Sequence, residues 1–190
     1  MKEEYGSGFD GTPEQALKYA QDTPGQELEV KRLLKLIRKV VRINIMEELV
    51  NRMKVVLATS FSFYLKAQYY HWNVEGIHFS QYHQFFANLY EEIHGSIDQT
   101  AEQIRALDAY APGSLKRYKE LSEIMCDENI PSAAMMCKNL LDDNQKLILS
   151  LTFARAEAEK LRQFGLINYL EGRIDIHKKH HWMLKSVIKG

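Results

Sequence analysis

Residues His71–Glu102 read HWNVEGIHFSQYHQFFANLYEEIHGSIDQTAE. The stretch combines two imidazoles, His71 and His83, with two carboxylates, Asp98 and Glu102, a donor mixture that hard and borderline metals such as iron favour. Gly76 sits where a helix carrying Tyr69, Tyr70 and His71 needs a left-handed terminating residue, so the two histidines are predicted on successive helices that face each other across a turn. Asp98 and Glu102 are four apart and share one helix face. His83, however, precedes Glu102 by nineteen residues, roughly 28 Å along a helix axis. One metal ion cannot touch both. Either the histidines and the carboxylates serve separate sites, or a two-fold symmetry mate brings the carboxylates of one chain to the histidines of another.

Outward from this stretch the apolar residues recur at helical intervals. Met46, Leu49, Val50, Met53, Val56, Leu57, Phe61, Tyr64 and Leu65 mark a long amphipathic helix from Ile45 to about Tyr70. A second is predicted from Ser80, as N-cap, to about Leu107, with Ala111-Pro112-Gly113 as its stop. A connection of about twenty residues holds a shorter helix over Ser114–Met125. Pro131 opens a third long helix running to about Phe164, Gly165 breaks it, and Ile167–Ile188 form the fourth. Four long helices with a long crossover between the second and third give an all-α, ferritin-like four-helix bundle with a short helix in the crossover.

The 190 residues, 45% hydrophobic and 26% charged, suit one well-buried domain. A formal charge of +0 gives no whole-chain attraction to nucleic acid or acidic membrane, so any such binding must come from a local patch, and no membrane partner is expected. Cys126 and Cys137 form no disulfide framework and lack a CxxC spacing, so both are expected reduced and inert. The opening MKEEYGSGFDG offers no signal-peptide core, and no run reaches the ~18 apolar residues of a span, which points to the cytoplasm.

The expected partition is an N-terminal extension, 1–44, and a bundle, 45–190. Residues 1–30 set Lys2 and Lys18 against seven acids, a net of −5, with Thr12-Pro13 placed to cap a short helix through Gln21. The next block reverses the sign. Lys31, Arg32, Lys35, Arg38, Lys39 and Arg42 form a basic face opposite Leu33, Leu34, Ile37, Val40 and Val41. This reads as an extra helix packed on the subunit with its cations in solvent, with DNA or a neighbour's acidic arm as the other candidate contacts.

His71-Trp72-Asn73, His83 twelve residues on, and Asp98-Gln99-Thr100-Ala101-Glu102 together resemble the signature of the Dps proteins, or mini-ferritins. The resemblance spans roughly residues 45–188, including the closing segment Arg173–Leu184. It implies a ferroxidase site shared across a two-fold axis, with His71, His83, Asp98 and Glu102 as catalytic and iron-binding residues. It also implies a hollow homo-oligomer, a dodecamer, that oxidises Fe(II) with hydrogen peroxide and stores the ferric product. Iron is the only metal implied, and no haem is expected. Carboxylate ligation favours Fe(III) and so favours electron loss, while the imidazoles hold the metal.

The sequence departs from that pattern in two respects. Dps proteins commonly carry an Asp four residues after the second histidine, where this chain has Ala87, which predicts weaker occupation of a second iron position. His94, one turn before Asp98, is placed to compensate or to bond a neighbouring side chain. The acidic arm also lacks the lysine-rich tail through which several Dps proteins bind DNA, so DNA remains a possible partner without that support. Trp72 is expected to pack beside the site. Asp142 and Asp143 are assigned to the N-terminal dipole of the third helix, and His177, His180 and His181 to a solvated helix face. The loop Arg162-Gln163-Phe164-Gly165 carries no acid that would line an iron pore.

Two rival readings follow from the same residues. A conventional ferritin or bacterioferritin, with its di-iron site inside each subunit, needs two Glu-x-x-His motifs. Glu91-x-x-His94 supplies one on the second long helix, but the fourth helix offers Ile174 before His177, His177 before His180 and Lys178 before His181, so the second motif is absent there. A structural shell or DNA-binding protein with a weak or idle ferroxidase site is the other.

Overall fold

The computed structural model describes Thr12, Gln15 and residues 26–189. Five helices are described: α1 Gln26–Asn73, α2 Phe79–Ala106, α3 Leu115–Leu121, α4 Ala133–Lys160 and α5 Phe164–Val187. No strand occurs among the described residues. The chain divides into two compact units, Met1–Asn44 and Ile45–Gly190.

In the first unit Thr12 and Gln15 form a capping box: the Thr12 N–H donates to Gln15 Oε1 at 2.8 Å and the Gln15 N–H to Thr12 Oγ1 at 3.4 Å. The helix expected through Gln21 otherwise lies outside the described residues. The helix carrying the basic block begins at Gln26 and shows no break near Asn44, because no Gly or Pro interrupts residues 26–73.

In the second unit Leu49, Met53, Leu57, Phe63 and Tyr70 of α1 pack with Phe86, Leu89, Ile93 and Ile104 of α2, with Met136, Leu140, Leu147 and Leu151 of α4 and with Leu166, Leu170 and Leu184 of α5. All of these are buried in one core. Side-chain pairs fix the helix directions. Lys66–Asp143 and Tyr70–Asn139 run α1 against α4, while His71–His83 and Tyr64–Tyr90 run α1 against α2. Glu92–Arg173 and Thr100–Tyr169 run α2 against α5, and Asn144–His177 and Arg155–Glu171 run α4 against α5. Since α1 is antiparallel to both α2 and α4, those two are parallel to each other. A short loop cannot join parallel neighbours, so residues 107–132 return along the bundle and carry α3. Tyr118 of α3 docks on Phe61 of α1, ring centroids 4.5 Å apart. This is the predicted ferritin-like four-helix bundle with a short crossover helix.

Several predicted boundaries move. The second long helix starts at Phe79 with His78 as its uncapped N-cap, so Ser80 lies inside the first turn. The short helix ends at Leu121 rather than Met125; Ser114 caps it, accepting the Arg117 N–H at 3.3 Å. Ser132, accepting from Met135 N–H, opens the third long helix one residue after Pro131. That helix stops at Lys160, and Gly165 lies in the first turn of α5 rather than at the break.

The stops have a common cause. At the end of α4 the Gln163 N–H donates to the Ala158 carbonyl and the Arg162 N–H to the Glu159 carbonyl, with Arg162 at φ 54°. At the end of α2 the Ala109 N–H donates to Ile104 and the Asp108 N–H to Arg105, with Asp108 at φ 60°. Both are Schellman motifs. Each places a non-glycine residue in the left-handed position that glycine usually fills, and so neither was visible to a search for glycine.

Left-handed backbone costs an arginine roughly 1–2 kcal/mol. Arg162→Gly is therefore expected to stabilise the protein by up to about 1 kcal/mol, raising the midpoint of thermal unfolding by roughly 2–4 °C in a chain of this size. An unchanged or lowered midpoint shows that the Arg162 side chain makes a compensating contribution.

Candidate functional site

The junction of α1 and α2 builds the site. Asn73 donates its Nδ2–H to the Tyr69 carbonyl at 2.8 Å and so closes the last turn of α1, which carries His71. Gly76, at φ 109°, turns the chain, and α2 begins at Phe79. His83 then lies one turn into α2, opposite His71.

The two imidazoles stack with centroids 3.7 Å apart and planes 23° apart. His71 Nδ1 lies 2.7 Å from the His83 carbonyl oxygen, and His83 Nδ1 lies 2.8 Å from the His71 carbonyl oxygen. A carbonyl only accepts, so each Nδ1 carries the proton and donates it. In the neutral imidazole this arrangement leaves the lone pair on Nε2. That is the tautomer in which a histidine is ready to bind a metal, with the second nitrogen anchored to backbone. Phe79 lies against His83, at 4.9 Å between centroids, and Tyr90 meets His71 edge-on at 5.2 Å. Both histidines are half-buried.

Asp98 and Glu102 occupy the exposed face of α2 and make no hydrogen bond or ion pair among the described residues. They are not brought to the histidines. Fifteen residues of continuous helix separate His83 from Asp98, roughly 22 Å of axis. Among the described residues no three His, Cys, Asp or Glu side chains converge in a way that could hold a metal ion. His94 is exposed and lies against Tyr64, ring centroids 5.0 Å apart and planes 48° apart, without a hydrogen bond among the described residues. Ala87 is buried. Trp72, expected to pack, is 62% exposed, and with Tyr69 and Cys126 it lines a cleft of ≈ 220 Å³. Its position on α1 points it away from the apolar core.

Two other expectations fail because the bundle interior is polar where sequence reading placed solvent. Asp143 is not an N-terminal dipole residue. It lies ten residues into α4, buried, with Oδ2 2.6 Å from Lys66 Nζ and Oδ1 2.7 Å from Lys146 Nζ. Nor do His177 and His180 face solvent, being 1% and 7% exposed. The core stripe of α5 is Leu166, Leu170, Arg173, His177, His180 and Leu184. Its periodicity was legible, but its polar members disguised it. Arg173 pairs with both Glu92 oxygens, one at 3.1 Å, and its Nη2–H donates to His177 Nε2 at 3.2 Å. Asn144 Nδ2 donates to the His177 carbonyl and its Oδ1 accepts from His177 Nδ1, both at 2.8 Å. Burial, with Arg173 and His180 beside it, holds the His177 pKa well below the usual histidine value.

This interior also bears on the rival di-iron reading. Lys66 and Arg173 are fixed cations in the middle of the bundle, each already satisfying a carboxylate. Added positive charge is disfavoured there. Both cysteines are free; Cys137 is buried, which pushes its thiol up to about 11, and Cys126 is exposed.

The ferritin-like domain family matches residues 50–190. An uncharacterised low temperature-induced protein of Nostoc sp. is 32% identical over 143 residues, 74% of this chain and 80% of that protein. The DNA protection during starvation protein of Brevibacillus brevis is 29% identical over 66% of this chain and 85% of its own. The crystal structure of a Dps protein from Bacillus brevis superposes with a TM-score of 0.74 at 27% identity, covering 76% of this chain and 97% of the other. The chain is a ferritin-like protein of the Dps family. The Dps fold accounts for the parallel α2 and α4 and for the α3 crossover, and the family match leaves residues 1–49 outside it.

His177 supplies a pH test of the Dps core. Its folded pKa lies below the unfolded value near 6.5, so the unfolded chain binds more protons in acid. The stability it protects is fully present above that unfolded value and declines as pH falls below it. Urea midpoints measured between pH 8 and 5 are expected to drop more steeply for the native protein than for His177→Gln. Parallel curves would remove His177 from the acid response.

Proposed function

We propose that this protein is a ferroxidase and iron store whose oxidation site is shared between two subunits. The observation that carries the reading is the reciprocal clasp of His71 and His83, which leaves two Nε2 atoms on one protomer with no third metal donor converging on them among the described residues. Asp98 and Glu102, exposed and without a hydrogen bond or ion pair among the described residues, are the complementary half. A two-fold axis supplies the partner's carboxylates to this protomer's imidazoles and the reverse, so each interface completes two sites. Exposure of Trp72 beside His71 fits the same interface.

Fe(II) is the substrate. Two Fe(II) ions each lose one electron to one hydrogen peroxide, which becomes two hydroxide ions, and the two Fe(III) products pass to storage. Asp98 and Glu102 favour that direction because anionic oxygens bind Fe(III) more strongly than Fe(II), while His71 and His83 hold the incoming ion. With Ala87 in place of a carboxylate, the second iron is held by fewer anionic oxygens and binds more weakly. The assembly is a hollow dodecamer in the cytoplasm, and its role is to limit oxidative damage by consuming iron and peroxide together. The match of residues 50–190 to the ferritin-like domain family supports iron as the metal. Ala87 also favours a second reading, a shell with an idle site.

The test follows ferric absorbance after anaerobic addition of Fe(II) and hydrogen peroxide. Native protein is expected to oxidise iron at least about tenfold faster than buffer, a lowering of the barrier by about 1.4 kcal/mol or more. Asp98→Ala/Glu102→Ala is expected to fall to the buffer rate with its assembly size unchanged. A native protein no faster than buffer establishes the idle shell, and a double variant as fast as native excludes these carboxylates.

A further inference from the structure

Residues 30–46 of α1 contain no Asp or Glu. At 100° per residue, Arg32, Lys35, Arg38, Lys39 and Arg42 fall on one arc of the helix. Leu33, Leu36, Ile37, Val40, Val41 and Ile43 fall on the opposite arc, about half the circumference. Both arcs face solvent, with Ile37 58% and Val40 55% exposed. The five cations make no ion pair among the described residues. Scattered exposed apolar side chains are ordinary, whereas a contiguous stripe of this length marks an interaction surface.

The chemistry of the two arcs selects the occupant. A second copy of the helix covers the apolar arc but brings two basic arcs together at its edges. A polyanion such as DNA, or a neighbour's acidic arm, neutralises the cations and leaves the apolar arc in water. An anionic lipid surface satisfies both arcs at once: the apolar half enters the acyl boundary and the cations meet the headgroups. We propose that residues 30–46 dock this protein on anionic membranes, the helix lying in the plane of the interface over roughly 25 Å. It does not span: no described helix is long and apolar enough to cross a membrane. With a whole-chain formal charge of +0, the attraction comes from this patch alone. Several copies in one homo-oligomer strengthen it through avidity.

The experiment sediments the full-length protein with vesicles of phosphatidylcholine, or of phosphatidylcholine with phosphatidylglycerol, at low and at physiological salt. Binding to the anionic vesicles is expected to exceed binding to the neutral ones by at least about tenfold and to weaken with salt. Lys35→Gln/Arg38→Gln/Lys39→Gln and Ile37→Gln/Val40→Gln/Val41→Gln, helix-compatible changes at exposed positions, are each expected to reduce it by at least about tenfold. Equal binding of native protein to both vesicles, or none to either, overturns the proposal without recourse to a variant. So does loss in the cationic variant alone with a DNA mobility shift that vanishes in parallel, which assigns the patch to nucleic acid. A change of assembly size in the apolar variant with vesicle binding intact overturns it in favour of self-association.

Discussion

An unbroken helix between His83 and Glu102 sets the terms for the chemistry of this protein. It is rigid, and it holds two pairs of good iron donors too far apart for one ion. Nothing in the protomer relieves that separation, because His71 comes to His83 and not to the carboxylates. The imidazole pair is nevertheless built with care: each ring is anchored through the backbone of the other, so both are held in one tautomer and one orientation. Such prepositioning has little structural rationale for two half-buried histidines alone. It acquires one if a partner's carboxylates complete the coordination, which is the basis of the proposed shared site.

The polar interior reinforces this division of labour. A bundle of four amphipathic helices has room along its axis for ligands, and the rival reading put a di-iron site there. In this chain the space is taken by Lys66 with Asp143 and by Arg173 with Glu92, and His177 bridges Arg173 to Asn144. Removing one member of such a buried pair strands the other, at a cost of about 3–5 kcal/mol, so the network locks the helix register. The proposed site accordingly lies on the bundle surface, where Asp98, Glu102 and Trp72 are exposed.

What the sequence revealed followed from spacing. Gly76 marked the turn, the twelve-residue step from His71 to His83 placed them opposite one another, and the four-residue step from Asp98 to Glu102 put both on one face; each is a local geometric rule. The misses arose where a residue's role depends on distant partners. His177 and His180 looked solvated because lysines flank them, yet Asn144 and Arg173 bury and satisfy the first. Asp143 looked like a dipole residue because its partner, Lys66, lies on another helix. Arg162 and Asp108 end helices in conformations that composition alone assigns to glycine. The exposure of Trp72 likewise depends on a surface that a single sequence does not describe.

The measurement that bears most directly on the shared site uses mixed assemblies. Subunits carrying His71→Ala/His83→Ala and subunits carrying Asp98→Ala/Glu102→Ala are each expected to form inactive homo-oligomers. Co-assembled in equal amounts, half of the two-fold interfaces pair unlike subunits, and each of these regains one intact site and one empty of all four donors. About a quarter of native iron oxidation should then return. Mixed assemblies that form but stay inactive would contradict the account, because only a site contained within one subunit is beyond rescue by a neighbour.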